Sequence, residues 1–226
     1  MSSPDLSGAR AEILERVRRG VGRADFAARR AAAEASLTMS ERGPQPRLAG
    51  DAAGALLPRF CDKARTLSST VEQVAMASDA PAAVARYLDR EGLAMQAVAT
   101  ADAGPLDWAS VGISVAVRAA VDADTVGISG CFCAIAETGT LLLCSAPASP
   151  ATVSLLPETH IALVPAARLV ATMEDAFALV RTELGELPRA LNFISGPSRT
   201  GDIEQTIVLG AHGPCRVHLI LIGETS

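Results

Sequence analysis

Short apolar runs rich in Val, Ile, Leu and Ala recur from residue 69 to residue 222, and segments with helical spacing or turn residues separate them. Near-continuous aliphatic runs of this kind suit strands buried on both faces, which is the environment of a parallel sheet covered by other layers. Strands are expected over 69–75, 95–100, 113–120, 140–145, 161–165, 190–195 and 217–222. Helices are expected over 81–90, with Asp79 in position to cap it, and over 173–184, where Gly185 stops it. Strands alternating with helices imply crossover connections, so the reading is α/β with a mostly parallel sheet layered with helices. Aromatic residues make up only 3% of the chain, which argues against an aromatic-rich sandwich.

Ahead of this rhythm, Ile13, Leu14, Val17 and Val21 fall at helical spacing, and an Ala/Arg-rich stretch to Leu37 can resume the helix after a break near Gly20 and Gly22. Residues 41–58 are rich in Gly, Pro and Ala without a period, as in a linker. The expected organisation is an N-terminal helical arm and linker over 1–58 and one α/β domain over 59–226. No fixed-period repeat is present. Met1 is followed by Ser, Pro, Asp and Gly rather than by a basic then apolar leader, and no apolar run is long enough to span a bilayer. A cytoplasmic location is therefore expected.

A net charge of -5 offers no general attraction to nucleic acid or anionic lipid. The Arg clusters at Arg16, Arg18, Arg19, Arg29 and Arg30 alternate with acids and alanines, as on a solvated helix face. Cys61, Cys131, Cys133, Cys144 and Cys215 are dispersed, which fits reduced thiols packed as small hydrophobes. The chain has no C-x2-C pair, no ferredoxin run and no H-E-x-x-H, so neither a metal nor an iron–sulfur cluster is expected in it.

Three segments carry candidate chemistry. Glu137-Thr138-Gly139-Thr140 places a carboxylate, two hydroxyls and a conformationally free glycine at the mouth of a buried strand, where amides and hydroxyls can form an anion nest. An ordinary turn is the competing reading. Ser195, Gly196, Ser198, Arg199, Thr200, Asp202 and Glu204 follow another strand and lead into an expected helix over 202–209. They would then lie beyond a strand's carboxyl end, where open sheets bind ligands, with Arg199 forking onto a carboxylate or phosphate. The alternative is that Ser198 or Thr200 merely caps the helix. His212 lies between glycines before the last strand, suited to proton transfer, to a ligand contact or equally to satisfying a backbone carbonyl in a turn, whereas His160 and His218 sit in apolar runs and read as structural.

In order and spacing, Ala136-Glu-Thr-Gly-Thr140, Leu155-Leu-Pro157 with His160, Ser195-Gly-Pro-Ser-Arg-Thr200 with Asp202-Ile-Glu204, and Gly210 with His212-Gly-Pro214 resemble the lactate utilisation protein C branch of the LUD-domain family. The resemblance covers about the last hundred residues. It implies a fold similar to the NagB/RpiA/CoA-transferase group and a role in oxidising L-lactate to pyruvate. It also implies a cluster-free component, with no cofactor of its own, working beside iron–sulfur partner proteins. Within that frame Glu137 and His212 are the expected proton-handling residues. Thr138, Gly139, Thr140, Ser195, Gly196, Ser198, Arg199, Thr200, Asp202 and Glu204 are the expected binders of a small carboxylate. A stand-alone CoA-transferase-like or sugar-phosphate-isomerase-like enzyme, with Glu137 as nucleophile or base, is the alternative. A regulatory subunit would instead present an exposed apolar patch.

Overall fold

The two longest aliphatic runs, Thr159–Pro165 (β7) and Arg216–Ile222 (β12), become adjacent parallel strands inside a sheet, buried along nearly their whole length. The computed structural model describes residues 7–21, 26–38, 56–200 and 208–223. Compact contacts divide the chain into two units, Met1–Arg47 and Leu48–Ser226. Among the described residues the first contains two helices, Ser7–Val21 (α1) and Phe26–Thr38 (α2).

In the second unit, Leu56–Thr66 (α3) leads into Thr70–Val74 (β1), and Ala80–Arg90 (α4) into Gln96–Ala99 (β2). Ser114–Val117 (β3) and Val126–Gly130 (β4) follow. These four strands join β7 and β12 in a six-stranded, all-parallel sheet of order β1-β12-β7-β4-β2-β3. Cys133–Ile135 (β5), Thr140–Cys144 (β6), Leu169–Val170 (β8) and Leu191–Ile194 (β9) form a second sheet of order β8-β5-β6-β9, in which β6 runs antiparallel to both neighbours. A short helix, Thr152–Leu155 (α5), precedes β7, and Met173–Leu184 (α6) precedes β9. Arg199–Thr200 (β10) and Val208–Leu209 (β11) make a small antiparallel ribbon.

Side-chain alternation along β12 explains why the main sheet is buried on both faces. Ile220 packs with Val84, Leu88 and Ile128 on the α4 side, whereas Leu219 and Leu221 pack with Phe60, Leu141 and Leu143 from α3 and the second sheet. The second sheet in turn sends Cys133, Ile135 and Leu142 to Ala176 and Val180 of α6. Each fully buried leucine or isoleucine in these layers contributes about 2 kcal/mol. Thr172 closes a capping box at the start of α6, accepting the Asp175 amide at 3.2 Å while the Asp175 carboxylate accepts the Thr172 amide at 3.1 Å. Gly185 ends that helix at φ +69°.

The expected α/β architecture, its mostly parallel sheet and its N-terminal helices are all present. Strands β4 and β5 lie where no strand is expected, and four of the expected features differ in detail. Helix begins at Leu56, so the linker reading fails over 56–58 because Pro58 falls in a first helical turn, where its missing N–H costs nothing; residues 41–55 lie outside the described residues. The strand expected over 113–120 ends at Val117, since Arg118 turns back to bond both Asp124 oxygens and the Ala119 carbonyl. Asp79 precedes α4 but does not cap it; its carboxylate accepts the Met76 amide at 3.1 Å. The helix expected over 202–209 is a strand at Val208–Leu209, where a β-branched residue pairs with Thr200, and residues 201–207 lie outside the described residues.

Candidate functional site

The β5–β6 turn and the loop after β9 meet because β6 and β9 pair antiparallel, with Leu141 opposite Ile194. One step further along that register, the Thr140 and Ser195 hydroxyls share a hydrogen bond of 2.7 Å. Thr138 donates its hydroxyl to Thr140 at 2.8 Å, so three side chains form one relay. Thr140 is buried and Ser195 is exposed, which leaves the outer end of the relay accessible.

Two glycines press this relay against the end of α3. Gly139 has φ +68°, and a Cβ there would lie 2.5 Å from the Ala64 amide nitrogen. Gly196 has φ +82°, and its Cβ would lie 2.3 Å from the Leu67 carbonyl oxygen. Both positions require the left-handed backbone and the absence of a side chain. Arg199 donates from one guanidinium nitrogen to the Leu67 carbonyl at 3.1 Å and to the Ser68 hydroxyl. Ser68 itself holds φ +68°, a rare conformation for a residue with a side chain. Since Ser68 lies two residues before β1, this cluster stands at the amino end of the parallel sheet.

The ribbon extends the cluster toward β7 and β12. The Ser198 amide donates to the Pro214 carbonyl at 2.8 Å, and the Gly210 amide donates to the Ser198 carbonyl at 2.9 Å. Beyond Gly213, exposed His212 borders an open cavity of about 490 Å³ with Leu155, Leu156, Glu158 and Cys215. The Cys215 thiol donates to the Glu158 carbonyl at 3.3 Å.

The structure thus gathers Thr138, Gly139, Thr140, Ser195, Gly196, Ser198 and Arg199 into one cluster of neighbouring contacts, with His212 at its far margin. Glu137 occupies the same turn, half-buried, its amide donating to the Ala171 carbonyl at 3.0 Å; it does not line the His212 cavity. Thr200 is held in the ribbon, and Asp202 and Glu204 lie outside the described residues. One placement is corrected. Ser195 follows β9, which belongs to the second sheet, so these residues gather at the amino end of the parallel sheet rather than at its carboxyl end.

His160 and His218 are buried. His160 Nε2 shares a 2.8 Å hydrogen bond with the Ser129 hydroxyl, and His218 Nδ1 shares one of 2.8 Å with Thr70 while its ring stacks on Tyr87 at 4.0 Å. Burial pushes each imidazole down to about 4, so both are neutral at pH 7. The five cysteines are free thiols; Cys61 and Cys133 are buried, and the other three are only half-buried. Among the described residues, no group of three or more His, Cys, Asp and Glu is placed to hold a metal ion, and no helix is long and apolar enough to cross a membrane.

Sequence reasoning passed over Leu67 and Ser68, whose contacts with Arg199 depend on tertiary structure. It also passed over a cavity of about 380 Å³ at the opposite end of the sheet, bordered by Asp102, Cys131, Cys144 and Arg168.

The family model for the LUD domain matches residues 57–222. Lactate utilization protein C of Shouchella clausii is 43% identical over 101 residues, 44% of each chain. The Bacillus subtilis protein of that name is 38% identical over 102 residues, 44% of this chain and 42% of its own. The protein of that name from an Exiguobacterium strain is 37% identical over 119 residues, 51% of each. The chain therefore spans about half the length of the curated relatives it matches. A crystal structure of a DUF162 family protein from Deinococcus radiodurans superposes with a TM-score of 0.59 at 26% identity, covering 76% of this chain and 99% of that one. With its family match running from α3 through β12, the chain belongs to the LUD-domain family.

Proposed function

We propose that this chain serves L-lactate utilisation as a cluster-free component that binds a small carboxylate and acts with iron–sulfur partner proteins. The observation that carries the reading is the amino-end cluster: Thr138, Thr140 and Ser195 in one hydroxyl relay beside the Arg199 guanidinium. Arg199 supplies the positive charge that a carboxylate needs, and the relay supplies a polarised hydroxyl at exposed Ser195. Similarity to proteins named lactate utilization protein C supports the choice of substrate.

Oxidising L-lactate to pyruvate releases two electrons and two protons. In this reading the electrons pass to the clusters of the partner proteins, while Glu137 and His212 take up protons. The test is L-lactate-dependent reduction of an artificial acceptor by the protein alone and then with its iron–sulfur partners. The expected result is turnover only in the mixture, and turnover that disappears when this chain is left out. A rate in the mixture that does not depend on this chain would overturn the proposal. Lactate oxidation by the chain alone would favour the stand-alone enzyme.

A further inference from the structure

The strand order of the main sheet reverses between β2 and β4: β3 lies outward of β2, whereas β7, β12 and β1 lie on the other side of β4. Open α/β sheets bind ligands at the carboxyl ends of the strands flanking such a reversal. The cavity of about 380 Å³ is there. Asp102 follows β2, Gly130 ends β4 with Cys131 just after it, and Arg168 follows β7. Phe132 just before β5, Leu143 and Cys144 of β6, and Ser149 complete the wall.

Its charges point to one class of ligand. Asp102 Oδ1 accepts the Thr100 hydroxyl and the Ala103 amide, the latter at 3.1 Å. Oδ2 rests against Gly130, where a Cβ would come within 2.0 Å of it. Arg168 adds no net charge, because it grips both oxygens of Glu183 at 2.7 and 2.9 Å; its Nε donates to the Phe132 carbonyl at 2.6 Å. Burial pushes the Cys131 and Cys144 thiols up, which keeps them protonated. One carboxylate therefore sets the sign of the cavity. An anion would be repelled there, while a hydrogen-bond donor would be held.

We propose that this cavity is a second ligand site, taking a small molecule with an apolar body and an alcohol or ammonium head that donates to Asp102. The site is independent of the lactate reading, since it shares no residue with the amino-end cluster and selects the opposite charge.

The test uses the full chain labelled with nitrogen-15 and three probes of matched shape: benzylamine, benzyl alcohol and benzoate. Saturable shifts are expected at the Gly130, Cys131 and Ser149 amides with a donor probe, with benzoate at least roughly tenfold weaker. Preference for benzylamine would identify the ligand as a cation, and equal binding of benzyl alcohol would identify an alcohol. Asp102→Asn should remove the discrimination against benzoate while preserving the rest of the amide spectrum. Benzoate binding as tightly as the donor probes, or no saturable shift at these amides with any probe, would overturn the proposal. The wild-type comparison decides the matter without any variant.

Discussion

The two ends of the parallel sheet are built by different means. At the amino end, short motifs are fastened to the last turn of α3 by a hydroxyl relay, two left-handed glycines and the Arg199 clasp. At the carboxyl end, the cavity is assembled from single residues after β2, β4 and β7 with a wall from the second sheet, and it has no compact sequence motif. The first region carries a guanidinium, while the second has its guanidinium neutralised by Glu183 and keeps one carboxylate. At the amino end backbone therefore fits closely against backbone, with open space only at the His212 margin, whereas the carboxyl end keeps its cavity where the strand order reverses.

One six-stranded sheet joins the two ends, and its buried histidines give the largest test of how firmly it is fixed. His160 and His218 titrate near 4 in the fold because burial disfavours the charged ring, against about 6.5 in an unfolded chain. Between those values the unfolded state binds more protons, so stability should be flat above pH 6.5. It should then fall by roughly 1.4 kcal/mol per pH unit per histidine toward pH 4. Urea midpoints across this range check the slope. His218→Phe, which keeps the stack on Tyr87, should remove about half of it. An unchanged slope would mean that the strand carrying His218 is not fixed as described.

Glycine substitution separates the two ends directly. Gly139→Ala would drive a Cβ against the Ala64 backbone at a left-handed φ and should cost about 3 kcal/mol. Gly130→Ala meets only the end of the Asp102 side chain, which can swing away, and should cost about 1 kcal/mol. Equal losses in urea unfolding would erase the distinction between a tightly fitted end and an open one. The smallest effect should come from Ser195→Ala, which removes the exposed end of the relay. A loss of about 0.5 kcal/mol in thermal unfolding is expected, together with weaker carboxylate binding by titration calorimetry.

Helix α6 was legible because its signals are local: Thr172 and Asp175 cap its start and Gly185 stops it. Strands β7 and β12 were legible from uninterrupted aliphatic runs. Strands β4 and β5 were not, since Gly130-Cys131-Phe132 between them reads as a small-residue stretch without period. At the site, the motif residues could be named from the chain, but the end of the sheet they occupy could not. That end depends on β9 pairing with β6 in a second sheet, which no local pattern encodes. The roles of Leu67 and Ser68 are likewise invisible without the contact from Arg199.

The most direct test of the central claim places Arg199→Ala in the reconstituted L-lactate assay and measures its assembly with the proposed iron–sulfur partners in parallel. An intact fold, normal assembly and loss of L-lactate-dependent reduction are expected, because the charge proposed to receive the carboxylate is gone. Reduction at the wild-type rate with Arg199→Ala would contradict that claim.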